Sequence, residues 1–167
     1  MPPAPKHPPS YEDLHALHRY FVWAGEMETQ LLRIFMRGKE KRTVVVLRRV
    51  MKSIAAMQWP PKSKIDGLRV FLYLSYWYAA LHVVVEGWKQ LHLHDPDVDR
   101  LLESPNTYLL KKYRDGVFHY QRRYYDERFL RFIREGADVA EWVSDLHWKI
   151  GDAILEHVHQ AREQTPH

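Results

Sequence analysis

The 167-residue chain contains no cysteine. That excludes disulfides, thiolate metal sites and a cysteine nucleophile, and it is compatible with a cytoplasmic location. A long uncharged apolar run is also missing. The longest stretch of the apolar middle without Asp, Glu, Lys or Arg is Val70 to Val85, 16 residues, short of the roughly 20 that span a bilayer. A buried core helix is expected there, and no membrane contact. The first ten residues, MPPAPKHPPS, lack an apolar segment and read as a disordered proline-rich tail, not a secretory signal. No internal repeat and no convincing strand pair stands out.

Aromatic residues and unevenly placed charge are what the chain does have. Aromatics make up 13% of it, so large rings must do much of the packing. The net charge of +4 is unequally shared. Arg33 to Lys52 holds eight basic residues and one acid, and Tyr108 to Arg134 holds eight against three. The remainder is therefore acidic. Basic faces attract polyanions, and a solvated helix surface explains them equally well.

Apolar spacing predicts helices throughout. Ser10 with Asp13 is a capping box for a first helix carrying Leu14, Leu17, Phe21, Ala24, Leu31 and Phe35, ending near Arg37 and Gly38. Val44, Leu47, Met51, Ile54 and Met57 suggest a second helix over 40–58, stopped by Pro60 and Pro61. Ile65 to Leu91 is the central helix; it is apolar all round, which suggests burial on several sides and contact with a second subunit. Asp95–Pro96 and Ser104–Pro105 each pair a cap with a first-turn proline and open short helices over 96–103 and 105–113. Asp115–Gly116 reads as a turn that breaks the chain. Further helices follow from Asp126 to Gly136 and from Asp138 onward. Trp77, Trp88, Trp142 and Trp148 are expected in the core. The chain divides into a tail at 1–10, one all-α domain at 11–160, and a flexible C-terminal tail at 161–167.

The chemistry concentrates in Lys111 to Tyr125, KKYRDGVFHYQRRYY. Arg114 is a permanent charge that can grip a phosphate with two parallel hydrogen bonds. His119 titrates near neutrality and can move a proton. Together they suffice for RNA cleavage without a metal: the imidazole acts on the 2′-hydroxyl or the leaving oxygen, and the guanidinium stabilises the phosphate. Lys111, Lys112, Tyr120, Arg122 and Arg123 supply cations and rings for an RNA backbone and its bases. Asp115, or Glu86 in the very apolar central helix, is placed to orient the pair. The same residues also suit an arginine salt-bridged to an acid and a histidine packed among rings. His92, His94 and Asp95, with His82, form a weaker metal-binding candidate, since Asp95 already serves as a cap.

The RDGVFH stretch, arginine, polar residue, then histidine after four intervening positions, resembles the signature of the HEPN superfamily. The upstream segment WYAALHVVVEGWKQL, with Glu86 and Trp88, is similar to uncharacterised bacterial HEPN-like proteins. The resemblance implies an up-and-down helical bundle, with additional short helices here, that forms a homodimer and brings two motifs to one cleft. It implies a metal-independent endoribonuclease of defence or toxin type, without a cofactor, acting on RNA and paired with an antitoxin or other partner encoded nearby. Other members are non-catalytic modules that bind nucleic acid or protein. Asparagine is common after the arginine in that family; here the residue is Asp115.

Overall fold

The computed structural model describes residues 8–35, 64–123, 126–136 and 138–164. The helix expected over 40–58, Tyr124, Tyr125 and most of the N-terminal tail lie outside the described residues. Among those described, all regular structure is helical: α1 (Tyr11–Phe35), α2 (Lys64–Gln90), α3 (Pro96–Leu102), α4 (Asn106–Phe118), α5 (Glu127–Glu135) and α6 (Val139–Gln164).

The caps follow from the sequence. The Ser10 hydroxyl accepts from the Asp13 N–H at 3.1 Å, and the Asp13 carboxylate accepts from the Ser10 N–H at 3.0 Å. Two otherwise orphaned donors are thereby satisfied as α1 begins. Asp95 accepts from the N–H groups of Asp97 and Val98 at the start of α3, and Asp126 accepts from Arg128 at the start of α5. The end of α2 is less conventional. His92 takes a left-handed backbone, φ 51°. Its N–H donates to the Lys89 carbonyl, and the Leu93 N–H reaches back to Trp88 at 3.1 Å. This is a Schellman stop with histidine where glycine is usual. Leu93 then packs into the core beside Trp88.

Helix α1 packs against both α2 and α6, α3 against α6, α4 against α2, and α5 against α4. Leu17 lies over Gly87, where a Cβ would come within 2.6 Å of its side chain, and Gly151 leaves room for the Phe21 ring. Trp77, Tyr78, Leu74, Leu81 and Val84 of α2 are fully buried. Leu72 and Tyr76 of the same helix remain 47% and 46% exposed. By length and composition alone, Arg69–Gln90 is apolar enough to cross a membrane, and 56% of its most apolar window is buried in the bundle.

Three expectations need correction. The chain does not break at Asp115–Gly116: α4 continues to Phe118. Gly116 serves close packing instead of a turn, because a Cβ there would sit 3.1 Å from Arg128 Cβ and 3.3 Å from the Phe129 ring. Residues 161–164, expected in a C-terminal tail, are the last of α6, which runs to Gln164. Trp148 is 63% exposed. It lies two residues from both Leu146 and Ile150, which puts it on the opposite side of α6 from that buried stripe.

Candidate functional site

The site forms where α4 crosses α2. Tyr113 seats α4: its ring is fully buried, its hydroxyl lies 3.1 Å from the Ser75 hydroxyl, and it packs edge-on against Tyr78 and Phe129. The next residue, Arg114, turns toward α2. Its Nη2 donates to Glu86 Oε1, and its Nη1 donates to Asp115 Oδ1 at 3.0 Å. The structure therefore brings together Arg114, Asp115 and Glu86. One turn before Glu86 lies His82, with Nδ1 3.6 Å from Glu86 Oε2. Burial pushes this imidazole down to about 4, with the Glu86 carboxylate pulling the other way, so it is neutral at physiological pH. His82 Nδ1 and Arg114 Nε are both buried without a hydrogen-bond partner.

His119 is held differently. It caps the C-terminus of α4 in extended backbone, its N–H donating to the Asp115 carbonyl, and its side chain is exposed. A five-residue helical step turns two side chains about 140° apart, and no hydrogen bond or ion pair joins Arg114 to His119. Around His119 the surface is basic and aromatic. Lys111, Arg122 and Arg123 are exposed, and Tyr120 is 91% exposed. The Lys112 ammonium lies 5.4 Å from the centre of the Tyr108 ring. Phe118 projects outward and meets Tyr76 of α2 with centroids 6.1 Å apart and ring planes at 87°. Tyr76 escaped the sequence reading. It sits four residues beyond Leu72, and both face outward from a helix most of whose other apolar side chains are buried.

No family model, curated protein or solved structure matches the chain.

The other candidates resolve into structural roles. His94 Nδ1 lies 3.3 Å from Asp99, Asp95 caps α3, and His92 shapes the end of α2. Among the described residues no group of three or more histidines and carboxylates can hold a metal ion. Deep in the core, the Trp77 indole N–H donates to His147 Nδ1 at 3.1 Å. That bond requires the imidazole proton on Nε2, which points at Glu28 Oε2, 3.3 Å away. Burial raises the Glu28 carboxyl to about 7 and lowers His147 to about 4. This triad ties α1, α2 and α6 together. Its one sequence signal was Glu28 lying on the apolar stripe of α1 between Ala24 and Leu31.

The pairing of Arg114 limits its chemistry. Two of its five N–H groups serve carboxylates, so its charge is largely compensated inside the protein. The exposed cations Lys111, Arg122 and Arg123 are the groups available to a polyanion.

Proposed function

We propose that this HEPN-like chain acts on RNA at the C-terminal end of α4 as a metal-independent endoribonuclease. The observation that carries this reading is an exposed imidazole, His119, standing just past a fixed arginine among exposed lysine, arginine and aromatic side chains. Lys111, Arg122 and Arg123 hold the phosphate backbone. His119 takes the proton from a 2′-hydroxyl, and the oxygen attacks the adjacent phosphorus. The bond from phosphorus to the 5′-oxygen breaks, and that oxygen takes a proton. The products are a 2′,3′-cyclic phosphate and a 5′-hydroxyl. Each chain carries one such histidine, so a homodimer that shares one RNA supplies a second imidazole to protonate the leaving oxygen. Glu86 and Asp115 fix Arg114 on the side of α4 away from His119, so its remaining N–H groups meet the charge developing on the phosphate where the homodimer brings the two sides to one RNA.

The compensated state of Arg114 favours a second reading, a non-catalytic module that binds RNA through the same surface. Replacing His119 by alanine separates the two. The nuclease loses cleavage and keeps RNA binding, measured by fluorescence anisotropy. The binding module shows no cleavage in either protein.

A further inference from the structure

Tyr76 and Phe118 form a perpendicular ring pair at the surface. Tyr76 is 46% exposed and Phe118 is 53% exposed, yet each is fixed by the other. Tyr76 rises from the well-packed α2, and Phe118 ends α4, immediately before His119. A ring held in place yet open to water loses little entropy when a flat ligand covers it.

We propose that Tyr76 and Phe118 form a stacking subsite for an unpaired purine beside the phosphate that His119 faces; this rests on the RNA-directed reading. Two rings at right angles make a corner: a planar base lies flat on one ring and sets its edge against the other. A two-ring purine covers more of that corner than a one-ring pyrimidine. A base buried in a duplex cannot enter it. On α4, Lys111 lies seven residues before Phe118 and so falls on the same side of the helix. Arg122 and Arg123 follow a few residues beyond. The rings are therefore flanked by cations that suit the phosphates on either side of a stacked base. Charge also decides against a second copy of this chain as the occupant. Placing two such corners face to face brings their lysines and arginines together, whereas a polyanion neutralises them.

The test uses the full chain and three fluorescein-labelled, 2′-O-methyl probes in EDTA: a 12-nucleotide oligoadenylate, the matching oligouridylate, and a blunt duplex. Anisotropy gives their affinities for wild type, Tyr76→Leu, Phe118→Leu and a Lys111/Arg122/Arg123 triple alanine variant. Leucine keeps an apolar side chain but removes the π face, so circular dichroism melting should be unchanged. The expected result is a loss of oligoadenylate affinity of about tenfold in each leucine variant, a smaller loss for oligouridylate, and no change for the duplex. Leucine variants that bind oligoadenylate like wild type, while the triple variant does not, overturn the subsite and leave the RNA reading standing. A wild type that binds none of the probes overturns both. If either leucine variant turns a dimer into a monomer by sedimentation, the corner is an interface between copies and the subsite is wrong.

Discussion

The Glu28 carboxylate lends itself to a quantitative test. It sits on the core side of α1 and is 7% exposed, facing His147 Nε2 at 3.3 Å. Burial lifts it from an ordinary 4.5 to about 7. At about 1.4 kcal/mol per pH unit, that rise corresponds to roughly 3 kcal/mol. The sign follows from linkage. A carboxyl raised in the folded state binds its proton more tightly there than in the unfolded chain. Its favourable contribution is complete below about pH 4.5 and is lost as pH rises through 7. Glutamine keeps the shape and an oxygen facing the imidazole N–H, and it has no charge to bury. Glu28→Gln should therefore match wild type near pH 4.5 and exceed it near pH 8 by up to about 3 kcal/mol. The His147 N–H favours the carboxylate and makes this figure an upper bound. Urea unfolding followed by far-UV circular dichroism, at several pH values for both proteins, gives the difference directly. The two buried histidines lose stability as pH falls, but they do so in both proteins and largely cancel. An equal gap between the proteins at low and high pH would refute a buried, proton-coupled Glu28.

Trp77→Phe removes the donor to His147 Nδ1 and opens a void in the core, so it should cost about 2–4 kcal/mol in urea unfolding; a loss below about 1 kcal/mol would argue against that bond. His92→Gly relieves the left-handed backbone at the end of α2 and should stabilise by about 1 kcal/mol, seen as a melting temperature a few degrees higher. Gly151→Ala drives a methyl into the Phe21 ring and should destabilise by about 1–3 kcal/mol, despite alanine's better helix propensity.

The long elements were legible because their signals are local. Ser10, Asp95 and Asp126 cap where their chemistry says they should, and in α6 the helically spaced Val139, Val143, Leu146, Ile150 and Ile154 are buried. Gly116 was misread because a glycine that ends a helix and one that admits a neighbouring helix look alike in sequence; only the approach of Arg128 and Phe129 tells them apart. At the site, Arg114, Asp115 and His119 were visible as residue types in one stretch, and Glu86 as a carboxylate in the apolar central helix. Which carboxylate meets the arginine is set by how α4 crosses α2, and that depends on the Ser75–Tyr113 contact far away in sequence. Tyr76 and His147 had no local signal at all. Each owes its surroundings to partners more than 40 residues away.

The most direct test of the central claim is RNA cleavage in EDTA by wild type, Arg114→Ala and His119→Ala, with the product ends identified. A metal-independent nuclease built on this site gives 2′,3′-cyclic phosphate and 5′-hydroxyl ends with wild type and no cleavage with either variant. Equal background in all three, or wild-type products ending in 3′-hydroxyl and 5′-phosphate, would contradict it.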